Sequence, residues 1–289
     1  MSDRDPSGSV ARVTKRRPQL APWRNAGRVT EEQRNADDVV RETGWVFNNE
    51  TGERLTLDQF VATGTEEVGF YCHHLGLHWG EHAVGKTFVE IGSGIGRMTA
   101  ALTRTYSTVI ACDLDGAFLE QCRSTVALHG DVSRLQTVHV ADGHTLDIPD
   151  ASADVVFSYI TLQHCDEADA LALIGEAFRV ARPGARIALN FRTSTASDIV
   201  LVPAGKLVRT VWSMFPRLAR APRLVTRFGW QANRLKPEHA VHEAFRVCPD
   251  LASLIVFQAA RRRTTLNAPV SVERLAGIHP AHYWLVATR

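Results

Sequence analysis

The stretch Phe88-Val89-Glu90-Ile91-Gly92-Ser93-Gly94-Ile95-Gly96-Arg97-Met98-Thr99 decides the fold. An apolar, β-prone run reaches an acid, passes three alternate glycines and enters a helix-forming segment that extends to about Tyr106. This order reads as strand, tight turn, helix. Glycines let the backbone turn sharply and approach a ligand closely. The helix start behind them offers free N–H groups to an anion. A dinucleotide fingerprint wants G-x-G-x-x-G, but here the glycines stand at 92, 94 and 96, and position 97 is arginine. Taken alone, the loop leaves a Gly-rich turn in some other α/β domain open.

Outward from this loop, acids recur at strand ends. Thr108–Asp113 reads as a second strand, and Asp113 lies about 20 residues beyond the glycines. A carboxylate at that place offers two acceptor oxygens to the adjacent hydroxyls of a ribose. A helix is expected from Asp115 to about His129, then a third strand over Leu135–Val140, followed by Ala141-Asp142-Gly143. The Pro-containing turn around Ile148-Pro149 leads to a buried fourth strand over about Val155–Tyr159. His164 follows at the carboxyl end of that strand, where open α/β sheets bind ligands. Imidazole titrates near neutrality, so His164 is the candidate general base; a role in orienting the loop is the alternative. Asp166 and Glu167 could hold that ring or cap the next helix, Ala168–Ala181. Ala181-Arg182-Pro183-Gly184-Ala185 reads as a helix stop and turn before a fifth strand, Arg186–Phe191. Leu254–Gln258 and Tyr283–Ala287 complete the set as strands six and seven, with a long loop, Thr264–His282, between them.

Together, Glu90-x-Gly92-x-Gly94-x-Gly96, the Asp113 strand end, Asp142-Gly143 and the L-x-I-P-x-x-S-A-D-V-V-x-S segment resemble the ordered motifs of class I S-adenosylmethionine-dependent methyltransferases of the small-molecule type. The resemblance covers about residues 60–289. It implies a Rossmann-like, seven-stranded, mostly parallel sheet with helices on both faces, an antiparallel last strand and an N-terminal helical cap. S-adenosyl-L-methionine is the implied cofactor and S-adenosyl-L-homocysteine its product. The implied contacts are Glu90, Gly92, Ser93, Gly94, Gly96 and Arg97 in the first motif, Asp113 and Leu114 at the ribose, Asp142 and Gly143 at the adenine, and Ser158 and Tyr159 after strand four. Phe60-Val61-Ala62-Thr63-Gly64 loosely matches a Phe-x-x-x-Gly element that approaches the methionine end in such enzymes, which adds Gly64. Mg²⁺ is conceivable near His164, but no spacing demands it, and no metal site is assigned.

Composition sets the frame. The chain has 289 residues, 45% of them hydrophobic, and a net charge of +2. That suits one α/β domain with additions. Residues 1–28 hold seven Arg/Lys against two Asp and read as a disordered basic tail. Residues 29–83 are expected to form the helical cap and 84–289 the methyltransferase domain. In the cap, capping-box patterns at Thr30 and Thr56 start helices; the second ends near Thr63-Gly64, and a third runs over Thr65–Trp79. His73, His74 and His78 lie on that third helix and read as surface or packing histidines.

Residues 192–234 depart from a minimal core. They form a basic, lid-like insertion whose prolines at 203, 216 and 222 should divide it into short pieces. It could bind an anionic substrate through its arginines, or rest peripherally on an anionic membrane. Five cysteines without C-x-x-C, no apolar run of membrane-spanning length and no apolar leader predict a cytoplasmic protein with reduced thiols. The expected partner is a small-molecule or glycoconjugate acceptor, not nucleic acid; a homo-oligomer is compatible. O-methylation of a hydroxyl on a sugar, glycoconjugate or polyketide-like molecule is the leading expectation. N-methylation of a small amine and a non-catalytic cofactor-binding sensor or scaffold are the alternatives.

Overall fold

The computed structural model describes residues 55–196, 198–214, 233–259, 264, 266 and 269–289. The expected tail over 1–28, the helix expected between Thr30 and Gly44, and residues 215–232 of the insertion lie outside the described residues.

Among the described residues, eight strands form one sheet in the order β3-β2-β1-β4-β5-β8-β6-β7. The strands are β1 (Thr87–Ile91), β2 (Thr108–Asp113), β3 (Leu135–His139), β4 (Ala153–Ser158), β5 (Ala181–Arg192), β6 (Ser253–Gln258), β7 (Ser271–Arg274) and β8 (His282–Thr288). The first five pair in parallel, and β8 inserts antiparallel between β5 and β6. The expected class and the antiparallel last strand are therefore present. The count of seven is corrected by β7, which pairs in parallel with β6 inside the stretch read as a loop. Its four residues, Ser-Val-Glu-Arg, are mostly exposed, so no buried face marks it in the sequence.

Alternation along the strands builds two cores. On one face Val89, Val156, Ile187, Leu189 and Leu285 pack against α4 (Glu167–Val180) and α6 (Pro237–Val247). On the other Phe88, Val109, Phe157, Ala188 and Trp284 meet α1 (Leu57–His74) and α2 (Thr99–Thr105). A third cluster joins α1 and α2 to α3 (Gly116–His129) through Phe60, Ala100, Phe118 and Cys122. Phe88, Phe157 and Trp284 are fully buried or nearly so, and each contributes roughly 1.5–3 kcal/mol of apolar burial.

Three expectations about helices and turns change. The capping box at Thr56 forms: Thr56 Oγ1 accepts from Gln59 N–H at 3.3 Å, and Gln59 Oε1 accepts from Thr56 N–H at 3.1 Å. The helix it starts does not stop at Gly64. One helix runs to His74, and Gly76, with φ +64°, follows its end. Gly64 is retained inside because the loop packs against it, as described below. Similarly, α5 (Asp198–Met214) continues through Pro203, its sixth residue, which lacks the N–H that would bond back one turn. The Arg182-Pro183-Gly184 turn is absorbed into β5 as an irregularity, with pairing shifted between Ala153 and Val155.

No helix among the described residues is long and apolar enough to cross a membrane. All five cysteines are free.

Candidate active site

The loop 92–98 joins β1 to α2 at the carboxyl edge of the sheet, and its acids are held by it. Strand alternation turns Glu90 beneath the loop, where it is 4% exposed. Its Oε2 accepts from Thr99 Oγ1 at 2.7 Å. Burial pushes the Glu90 carboxyl up to about 7. Asp113, at the end of the adjacent β2, accepts the Gly94 N–H at 2.8 Å on Oδ2 and the Asp115 N–H at 2.9 Å on Oδ1. Burial raises its carboxyl to about 6, against the lowering effect of these backbone bonds. The glycine loop and the acid about 20 residues on are thus one hydrogen-bonded unit.

The loop tolerates no side chain where it meets the segment after β4. Gly92 has φ +84°, and a Cβ there would come within 2.1 Å of the Thr161 side chain. Ser158 Oγ donates to the Ile91 carbonyl at 2.9 Å, so β4 and β1 are tied at their carboxyl ends. Ser93 Oγ is buried with no hydrogen-bond partner. A buried hydroxyl left open inside a glycine cradle fits a polar ligand group there.

Gly64 and Arg97 serve each other. A Cβ on Gly64 would stand 2.3 Å from the Arg97 carbonyl oxygen, so only glycine lets α1 seat on the loop. The Arg97 guanidinium turns to the same helix: it pairs with Glu67 at 2.7 Å, donates to Thr63 Oγ1 at 3.3 Å and lies 5.6 Å from the Phe60 ring centroid. Their observed contacts are therefore between helix and loop. Gly96, the remaining motif glycine, backs onto Cys122 of α3.

Asp142 and Gly143 follow β3 in an exposed turn. Burial opposes it, but hydrogen bonds from Thr145 and from the His144 and Thr145 N–H groups hold the Asp142 carboxyl down at about 2. Leu114 is half exposed, and its carbonyl lies 3.0 Å from His139 Nε2. Tyr159 stacks on Trp284 (5.6 Å, 4°) and accepts a hydrogen bond from Tyr71 of α1 at 3.1 Å.

His164 closes a 3₁₀ turn, Leu162–His164, beyond β4. Gln163 Nε2 lies 3.4 Å from the Ile160 carbonyl and 3.2 Å from His164 Nε2. A carbonyl only accepts, so the amide nitrogen faces both groups. His164 Nε2 is then the acceptor, and the neutral ring carries its proton on Nδ1. Asp166 caps no backbone N–H with its side chain, and Glu167 instead lies 3.0 Å from His239 of α6.

Sequence reasoning missed the β5–β8 side of this edge. Asn190 Oδ1 accepts from the Ile160 N–H (3.4 Å) and lies 3.2 Å from His282 Nδ1, while Asn190 Nδ2 donates to the Tyr283 carbonyl at 3.2 Å. Asp198, at the start of α5, accepts from Arg234 at 2.7 Å and faces Arg192 at 3.7 Å. Only the chain's return in the folded sheet brings 190, 198, 234 and 282 together. Among the described residues, no group of three or more His, Cys, Asp or Glu side chains could hold a metal ion.

Known proteins share this core. Residues 89–189 match the family model "Methyltransferase domain". Phosphoethanolamine N-methyltransferase 1 of Triticum aestivum is 33% identical over 105 residues, 36% of this chain and 20% of that protein. Malonyl-[acyl-carrier protein] O-methyltransferase of Hahella chejuensis is 34% identical over 101 residues, 34% of each. The chain thus spans between a fifth and about a third of the length of these relatives. In fold, a candidate O-methyltransferase of Nostoc punctiforme superposes with a TM-score of 0.51 at 10% identity, covering 93% of this chain and 67% of that one. With the loop, the acids and the sheet order in place, residues 89–189 form a methyltransferase domain of the class I, S-adenosylmethionine-dependent type.

Proposed function

We propose that this protein transfers a methyl group from S-adenosylmethionine to a hydroxyl of a small molecule such as a sugar, a glycoconjugate or a polyketide-like compound. The observation that carries the cofactor half of this reading is the bond between Gly94 N–H and Asp113 Oδ2 at 2.8 Å. It fixes the glycine loop and presents a carboxylate beside it. Each carboxylate oxygen keeps lone-pair capacity for a ribose hydroxyl. The Gly92–Gly96 backbone and Ser93 Oγ would hold the methionine portion, with Glu90 supporting the loop from beneath. Gly64 and Arg97 would seat α1 over it. Asp142, Gly143 and Leu114 would border the adenine side, and Ser158 and Tyr159 the side nearest the reacting centre.

The bound cofactor supplies an activated methyl group on a sulfonium, so alignment of the acceptor is the protein's main task. A hydroxyl loses its proton as it is methylated. His164 Nε2 is the group proposed to take it, releasing the Gln163 amide as it does so. The domain division follows the same reading: α1 belongs to a cap ahead of residue 84, and residues 192–234 form an insertion on the acceptor side.

One observation favours a second reading, N-methylation of a small amine. The His164 Nε2 lone pair is engaged by Gln163, and a neutral amine needs no strong base. The relatives named above are of both kinds. Transfer of labelled methyl from S-adenosylmethionine to matched panels of alcohols and amines tests the reading. Label in ether products supports it, label in amine products replaces it with the second, and binding of S-adenosylhomocysteine without transfer to any extract would leave the sensor.

A further inference from the structure

Among the described residues, the half-buried arginines on and beside the sheet make hydrogen bonds through their guanidiniums, with one exception. Arg97 bonds Thr63 and Glu67, Arg179 bonds Glu176 and the Leu146 and Ile148 carbonyls, and Arg186 bonds Thr288 and the Leu75 carbonyl. Arg192 does not. Its Nε, like those of Arg182 and Arg186, is buried with no hydrogen-bond partner, but its terminal nitrogens make no hydrogen bond either, and its contact with Asp198 is long at 3.7 Å. That carboxylate is already engaged: Arg234 binds Oδ1 at 2.7 Å, and Thr195 N–H and Oγ1 bind Oδ2 at 2.7 and 3.0 Å. Two guanidiniums therefore share one acid, and the group carries one net positive charge. Burial works against the Arg192 charge and lowers its pKa. A desolvated cation without its own acceptor is costly and gains most from an incoming anion.

Its place makes the anion part of the reaction site. Arg192 ends β5, on the face shared by Ala188 and Asn190. β4 ends at Ser158 opposite Leu189, while β5 runs on three residues to Arg192, so Arg192 reaches beyond the end of β4 on the side of the Ile160 turn. Asn190 bonds the Ile160 N–H in between, and Thr161 contacts Gly92. From the glycine loop to Arg192 there is thus one row of strand ends. Arg192 pairs in register with His282, a ring that burial keeps neutral, its pKa pushed down to about 3. No second cation on β8 competes for the anion there.

We propose that Arg192 recognises an anionic group, carboxylate or phosphoryl, on the methyl acceptor. The proposal rests on the methyltransferase reading for the word acceptor, but the anion site stands on the arginine itself. The guanidinium fork presents paired donors to either group, so both share the chemistry.

The test titrates inorganic phosphate and, separately, acetate into the full chain at constant ionic strength, with and without saturating S-adenosylhomocysteine. The readouts are calorimetry and the Arg192 Nε–H signal in a ¹⁵N spectrum. At least one anion should bind in the millimolar range and move that signal. R192Q should weaken it by at least about tenfold, and R192K, which keeps the charge but loses the fork, by an intermediate factor. Affinity for S-adenosylhomocysteine should stay within about twofold in a folded variant. Response to phosphate alone assigns a phosphoryl group, and to acetate alone a carboxylate. Absence of binding by both anions, or equal binding in the wild type and both variants, overturns the proposal. Loss of S-adenosylhomocysteine binding in the wild type would instead sink the methyltransferase reading while leaving the anion titration readable.

Discussion

Two ends of one sheet edge use their polar groups in opposite ways. On the β1–β2 side each acid is already bound: Glu90 to Thr99, Asp113 to the Gly94 and Asp115 amides. On the β5–β8 side, Arg192 Nε and His282 Nε2 are buried without hydrogen-bond partners. A site that meets the same cofactor in every turnover gains from being built in advance, because no ordering is left to be done on binding. Groups kept open at the other end suit a ligand that brings its own partners. In the proposed reading, the first end holds the methyl donor and the second reads the acceptor. Variants should then separate cleanly into those that change donor affinity and those that do not.

The largest separation is expected at Gly92→Ala. The new Cβ would fall 2.1 Å from Thr161 at φ +84°, so the loop must shift. Calorimetry with S-adenosylhomocysteine should show a loss of about 10²-fold or more; unchanged affinity would break the comparison. His164→Ala is the counterpart on the acceptor side. It should lower turnover by about 10²-fold with donor affinity intact, and a small effect would return His164 to a loop-orienting role.

An intermediate effect should come from pH. The Asp113 carboxyl, raised to about 6, is mostly ionised at pH 7 and mostly protonated at pH 5. Ribose hydroxyls donate to the ionised form, so affinity for S-adenosylhomocysteine should fall about tenfold across that range. For folding the sign is reversed: a carboxyl raised in the fold favours the native state at low pH, and that contribution is lost as pH rises through about 6. A flat binding profile would remove Asp113 from the donor site. The smallest change in affinity is expected for Arg97→Ala, a few-fold at most. Its main effect should be on stability, about 2 kcal/mol by denaturant unfolding, because Glu67 is left half-buried without its partner. If stability did not change, α1 would not be held to the loop in this way.

The donor end was the more legible in the sequence, for a physical reason. Its parts are local: an apolar strand, glycines that need positive φ, and acids at strand ends, each within a short span of chain. Glycine at 64 was legible only as a helix stop, because its actual constraint, the Arg97 carbonyl, lies 33 residues on. The acceptor end is assembled across distance. Asn190, Asp198, Arg234 and His282 have no common spacing, and β8 is brought beside β5 only by the antiparallel insertion. Likewise, β7 has too few residues and too little burial to leave a period. The amide of Gln163 against His164, one residue away, could not be foreseen either, since neighbours in sequence face each other only in particular turns.

Everything rests on Asp113 and the glycine loop acting as one donor-binding unit. Calorimetric titration of S-adenosylhomocysteine into the wild type and Asp113→Ala, with folding checked by circular dichroism, tests this most directly. The account predicts clear binding by the wild type and at least about tenfold weaker binding by the variant, since a charge-assisted hydrogen bond and a loop anchor are both removed. Near-wild-type affinity in a folded Asp113→Ala protein would contradict it.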